Sequence, residues 1–158
     1  MRRTPESIDP VVKAREVPRS AAEAFDLFTA GIGRWWPLAT HSIGGAEATT
    51  VRFEGRIGGR IVEVTTDGTE HSWADVIAWD PPHRFVVAWH PTPEPLAASI
   101  LEVRFESIPT GCRIHLEHRG WEEFGLEAGG EARASYESGW DHVLRPYLAA
   151  AESEPARA

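Results

Sequence analysis

The sequence predicts an α+β domain in which a curved antiparallel sheet of about seven strands grips one long C-terminal helix. Three observations carry that reading. Between Val51 and Arg119, short alternating apolar and polar runs are separated by turn signals such as "TDG" and "PTG". Near the C-terminus, Tyr136, Trp140, Val143, Leu144, Tyr147 and Leu148 recur at helical spacing and form one broad apolar face. A sheet with one wet face must cover the other, and no other predicted element is long enough to do so.

Taken in order, the first ten residues are polar, carry two prolines and read as frayed. "VVKAREV" (Val11 to Val17) is a β-branched run ended by Pro18, hence a strand. Ser20 is a good N-cap, with Glu23 at capping-box spacing. The helix "AAEAFDLFTA" follows, with Ala21, Ala24, Phe25 and Phe28 on its core face, and Gly31 and Gly33 stop it. A second short helical turn is expected over "GIGRWWP" (Gly31 to Pro37). Six antiparallel strands come next: "TVRFEG", "GGRIVEVTT", "HSWADVIAW", "RFVVAWH", "ASILEVRFES" and "CRIHLEHR". The last two form the clearest hairpin. Leu101, Val103 and Phe105, like Cys112, Ile114 and Leu116, alternate with charged or polar residues. The "DPPHR" and "PTPEP" stretches stop the two strands before them. The long helix is expected over about residues 130–151, with Pro146 inside it to kink it or remove a hydrogen bond. The reading is one domain over residues 1–158, with a core of about 11–150 and a disordered tail over about 152–158.

Composition excludes several roles. The 158 residues carry 24 acidic and 16 basic side chains, a formal charge of −8. That argues against general nucleic-acid binding and leaves no basic patch for anionic lipid. A lone cysteine, Cys112, forms no intrachain disulfide, so nothing demands an oxidising compartment. The N-terminus lacks the apolar stretch of a signal peptide, and no run approaches the roughly 20 apolar residues of a membrane helix. A cytoplasmic location is expected.

The order of elements, with "VPRSAAEAFDLFT", "RWWP", "GGRIVEV", "WADVIAWDPPHRFVVAWHP" and "SYESGWDHVLRPYL", resembles the START-like, or SRPBCC, superfamily of helix-grip folds. Within it, the chain is similar to the bacterial family named for homology to the activator of the heat-shock-protein-90 ATPase. The resemblance covers roughly Val11 to Leu148. It implies the helix-grip fold; because sheet curvature and helix diameter rarely match, a sheet gripping a helix leaves a gap where a ligand can sit. Superfamily members bind lipids, hormones and polyketides, and some are cyclases or hydrolases. The family name suggests a chaperone partner. The eukaryotic activator, however, resembles this domain only in its C-terminal part, and nothing here corresponds to its N-terminal domain. In this order "GIGRWWP" falls at the rim of the grip. Adjacent residues in a helical turn point about 100° apart, so the two indoles should differ in role. Trp35 is expected in the core, Trp36 toward the cavity mouth, and Arg34 outside.

Candidate chemistry is sparse. Among seven histidines, His115 and His118 are three apart in a strand and point to opposite faces, and no pair has helical i, i+4 spacing. No metal site is expected. His41 and His90, each after a tryptophan-bearing segment, are the histidines placed nearest a pocket, with solvated loop positions as the alternative. "GRIGGR" and "GIG" lack phosphate-loop spacing, and the only lysine is Lys13. No Gly-x-Ser-x-Gly elbow exists, and Cys112 shares parity with Ile114 and Leu116, so it reads as core. Glu102 and Glu117 fall on the wet face. Glu63 and Asp75 lie in strands of blurred alternation, so one of them can turn inward and act as a general base. Seven tryptophans remain. Trp140 points into the grip, Trp89 shares parity with Phe85 and Val87, and Trp73 and Trp79 share a face. They either fill the core or wall a cavity for a flat or greasy ligand.

The expectation is therefore a binder of a small apolar or aromatic molecule, without catalytic residue, cofactor or metal. The lining is assigned to Trp36, Trp89, Leu101, Val103, Leu116, Tyr136, Trp140 and Leu144. The alternatives are a cyclase- or hydrolase-type enzyme using an inward acid or His90, and a chaperone-regulating interaction module. No nucleic acid or membrane partner is expected, and a homodimer through a sheet edge or helix face is compatible with so small a domain.

Overall fold

Seven antiparallel strands form one sheet in the order β1-β7-β6-β5-β4-β3-β2. The computed structural model describes residues 7–90 and 98–153. Residues 1–6 of the stretch expected to be frayed, the "PTPEP" segment and residues 154–158 of the expected tail lie outside them. The strands are β1 (Val11–Val17), β2 (Ala48–Phe53), β3 (Arg60–Thr65), β4 (Glu70–Asp80), β5 (Arg84–Trp89), β6 (Ser99–Ile108) and β7 (Gly111–Arg119). The chain closes the order by returning β7 beside β1, with Val11 opposite His118 and Val17 opposite Cys112. Helix α1 (Ala21–Phe28) follows β1, and helix α2 (Leu126–Ser153) ends the described chain. The expected second short helix is a single 3-10 turn, Ile32–Arg34.

Local chemistry explains these boundaries. The Ser20 side chain accepts from the Glu23 amide at 3.1 Å while Glu23 returns to the Ser20 amide at 3.1 Å, closing the capping box that starts α1. The hairpin β6–β7 keeps unbroken register from Ile100–Arg119 to Ile108–Gly111, which is why its alternation is the cleanest in the sequence. By contrast β4 is irregular on both sides. Its register shifts against β3 between Ile61 and Val62, and against β5 between Val76 and Ala78. Two one-residue shifts restore parity over six residues. Trp73 and Trp79 therefore both face the core, although Asp75 between them is exposed.

Helix α2 starts four residues earlier than the sequence pattern suggests and runs two residues into the expected tail. Its contact with the sheet is uneven. In the C-terminal half, Val143, Leu144, Tyr147 and Ala151 are buried, and the Tyr147 hydroxyl donates to the Ala24 carbonyl at 2.9 Å, tying α2 to α1. Phe28 and Trp35 pack their rings on Tyr147 at 5.0 Å each. Toward the N-terminus α2 packs on the 3-10 turn Trp121–Phe124, and around its middle polar contacts tie it to the sheet edge. Lys13 on β1 reaches Glu137 at 2.7 Å and Asp141 at 3.1 Å, and Arg15 reaches Asp141 at 2.7 Å. Among the described residues, no helix is long and apolar enough to cross a membrane.

Candidate functional site

Beneath the N-terminal half of α2 the grip opens into a cavity of about 460 Å³. Its apolar walls are Trp36, Trp73 on β4, Trp89 on β5 and Ile43. Tyr136 on α2 closes one side, and Thr40, His41 and Ser42 form the rim. The three indoles pack on one another, with ring centroids 5.0 Å (Trp36–Trp73), 6.1 Å (Trp36–Trp89) and 6.0 Å (Trp73–Trp89) apart. They form one continuous aromatic wall rather than scattered side chains.

The rim segment between Leu38 and Glu47 has no regular structure beyond one 3-10 turn, so its shape must come from specific contacts. Glu63 supplies them. This side chain on β3 is fully buried. It accepts from the Ile43 amide at 2.7 Å, from the Gly44 amide at 2.6 Å and from Trp73 Nε1 at 2.8 Å. One carboxylate thus pins the rim to the sheet and fixes the tilt of a wall indole. The fit requires glycine at position 44, where a Cβ would lie 2.7 Å from Thr65 and 2.9 Å from Glu63 Oε2. The rim is tightened further by Ser42 Oγ, which donates to the Leu38 carbonyl at 2.5 Å and accepts from the Gly45 amide at 2.8 Å.

On the helix side, His41 stacks on His142 of α2, with centroids 5.0 Å apart and planes 21° apart. Burial and the facing His142 both lower the His41 pKa, so its imidazole is held neutral. Behind the wall, His118 is fully buried on β7. Trp140 Nε1 donates to its Nδ1 at 2.9 Å, so the proton resides on Nε2, which meets Ser99 Oγ at 2.7 Å. Burial pushes the His118 pKa down to about 3. It is a neutral connector that orients Trp140, not a titrating group of the cavity.

The structure divides the expected lining residues. Trp36, Trp89 and Tyr136 are brought together around the cavity. Leu101, Val103, Leu116, Trp140 and Leu144 lie in the packed core, each no more than 2% exposed. Trp73, grouped with the other aromatics by sequence but left out of the lining, belongs to the wall. Thr40, Ser42 and Ile43 had no sequence signal, because an irregular loop has no periodicity to read. Of the candidate bases, Glu63 is the one that turns inward, but three donors occupy it. Asp75 is exposed and pairs with His90 at 2.8 Å, and neither lines the cavity. Cys112 is buried, and that burial raises its thiol pKa to about 11. Trp35 sits in the core, with Nε1 donating to the Leu27 carbonyl at 2.8 Å, while Trp36 faces the cavity. Among the described residues, no group of three or more His, Cys, Asp or Glu side chains is placed to hold a metal ion.

A curved antiparallel sheet wrapped on a long C-terminal helix, with a cavity between them, defines a START-like protein of the SRPBCC superfamily. The sequence model for "Activator of Hsp90 ATPase homolog 1-like protein" matches residues 18–151. The chain belongs to that family. Comparison with curated proteins finds no match. Among solved structures, the chain is similar to protein Ms6760 from Mycobacterium smegmatis (TM-score 0.65, 16% identity, 93% of each chain covered). It is also similar to protein MLL2253 from Mesorhizobium loti (TM-score 0.64, 17% identity, 89% of this chain and 94% of that one). A third likeness is to the anthrahydroquino-gamma-pyrone synthase Txn09, solved as a complex (TM-score 0.62, 29% identity, 92% of this chain and 99% of that one).

Proposed function

We propose that this protein binds a small, flat, apolar molecule in the cavity between the sheet and the N-terminal half of α2, without catalysing a reaction on it. The observation that carries this reading is the cavity itself: about 460 Å³ faced by three packed indoles and one phenol. A void of that size lined by apolar rings favours an aromatic occupant, because ring faces gain dispersion and edge contacts that water cannot supply. Similarity to Txn09, a synthase named for a fused-ring product, supports an aromatic ligand of comparable shape. The non-catalytic assignment follows from the polar groups. Glu63 and His90, the acid–base candidates read from the sequence, do not line the cavity, and the one histidine at its rim, His41, is stacked on His142.

The test is a thermal-shift screen of two- and three-ring aromatic compounds, followed by native mass spectrometry of the hits. One or more compounds should bind at one-to-one stoichiometry and raise Tm. Replacing Trp36 by Ala should weaken binding at least tenfold while the far-ultraviolet circular dichroism is retained. A screen without a stoichiometric binder, or binding indifferent to Trp36, would overturn the assignment.

A further inference from the structure

We infer that the ligand is a neutral planar molecule carrying a carbonyl-type acceptor oxygen, received by the phenolic O–H of Tyr136. This rests on the cavity-binding reading and adds the chemical class of the occupant. The argument is an account of hydrogen-bond donors around the cavity. Trp36 Nε1 donates to the His41 carbonyl at 2.7 Å, Trp73 Nε1 to Glu63 at 2.8 Å, and Trp89 Nε1 to the Tyr136 hydroxyl oxygen at 2.9 Å. All three wall indoles have therefore given up their only donor. Ser42 Oγ has its proton on the Leu38 carbonyl. Thr40 Oγ1 has two acceptors in reach for its single proton, His41 Nδ1 at 2.8 Å and the Pro37 carbonyl at 3.4 Å.

Tyr136 differs from the rest. Its oxygen accepts from Trp89, which orients the hydroxyl, yet among the described residues no acceptor takes its proton. Burial raises the phenol pKa and outweighs the opposing hydrogen bond from Trp89, so the group remains a donor across the neutral range. A side-chain donor held at a cavity wall gains a partner only when an acceptor arrives, and leaving such a donor unmatched penalises a pure hydrocarbon. Among the described residues, no charged side chain lines the cavity, which favours a neutral ligand. An aryl ketone or quinone satisfies all of these conditions.

The experiment compares fluorene with 9-fluorenone, which share a three-ring plane and differ by a methylene against a carbonyl. Affinities are measured by calorimetry for the wild-type chain and for Tyr136→Phe. The ratio of ketone to hydrocarbon affinity should fall by about three- to tenfold in Tyr136→Phe, the span of a single neutral hydrogen bond. Infrared spectroscopy of fluorenone bound to the wild-type protein should show its carbonyl stretch moved to lower frequency than in hexane. That readout stands even if the variant fails to fold. A ratio unchanged in Tyr136→Phe, or a carbonyl stretch at its hexane position, overturns the inference and leaves the cavity-binding reading intact. If neither compound binds while other flat aromatics do, the inference fails alone; if no aromatic compound binds, both fail.

Discussion

Glu63 shows how one residue can set the form of a site without touching its contents. A carboxylate placed wholly inside a protein is costly unless its oxygens are occupied, and here three N–H groups occupy them. Two of those donors belong to the rim backbone, so the cavity mouth exists because the carboxylate does. Replacing Glu63 by Gln puts an N–H₂ group where at least one amide needs an acceptor. The expected result is a loss of about 2–3 kcal/mol in urea-unfolding free energy. The amides of Ile43 and Gly44 should also exchange with solvent faster. Unchanged protection of those two amides would show that the rim is held by something else. Residue type alone announced a carboxylate in a strand. Its inward direction was hidden because the register shift beside Ile61 breaks the alternation from which direction is read.

At the scale of elements, legibility followed regularity. The hairpin β6–β7 and the start of α1 could be placed from the sequence, since period-2 alternation and a capping box are local signals with local causes. The beginning of α2 was not placed correctly. Gly129 and Gly130 look like a break in a helical pattern, yet both lie inside α2. The reason is a close approach. A Cβ at position 129 would lie 2.1 Å from the Trp121 carbonyl oxygen and 2.8 Å from Ile8 Cδ1, so the first turns of α2 can rest on the 3-10 turn Trp121–Phe124 only with glycine there. Gly129→Ala, a change that would favour an isolated helix, should instead lower stability by about 2 kcal/mol or more. A thermal-melting midpoint equal to or above wild type would refute the steric account. Because Tyr136 lies two turns further along α2, the same variant should also weaken occupancy of the cavity.

The whole molecule is a helix held firmly at one end and standing off the sheet at the other. Tyr147 ties the C-terminal half to α1, with Leu144 and Ala151 buried beside it, while the Lys13 and Arg15 ion pairs hold the middle of the helix by the sheet edge and leave room toward its N-terminal end. His118 sits near the join and couples the fold to pH. Its folded-state pKa of about 3 lies below the ordinary value of 6.5, so the unfolded chain binds a proton that the folded chain refuses. His41 is lowered in the same direction by burial and by His142. The stability these groups contribute is present above pH 6.5 and is lost as pH falls, down to about 3 for His118. Between pH 6.5 and 5, above the range where most carboxylates titrate, unfolding free energy should decline with a slope that steepens toward about 1.4 kcal/mol per pH unit from His118, with a smaller share from His41. Denaturant titrations at half-unit intervals would measure the slope, and a flat profile would contradict a buried neutral His118.

The sequence by itself determined the class of fold, the run of antiparallel strands and the long C-terminal helix. Those features rest on periodicity and on turn and cap chemistry, which act over a few neighbouring residues. The tertiary structure alone decided where the cavity lies and what surrounds it. Trp36, Trp73, Trp89 and Tyr136 come from four separate segments, and the rim that completes the cavity is an irregular loop ordered by a carboxylate on a distant strand. Leu101, Val103, Leu116, Trp140 and Leu144 share the faces of cavity residues but lie where sheet and helix close on one another. Facing inward is a property of a residue within its element. Meeting space rather than another side chain depends on how far apart two elements stand, and that separation is set by packing across the whole molecule.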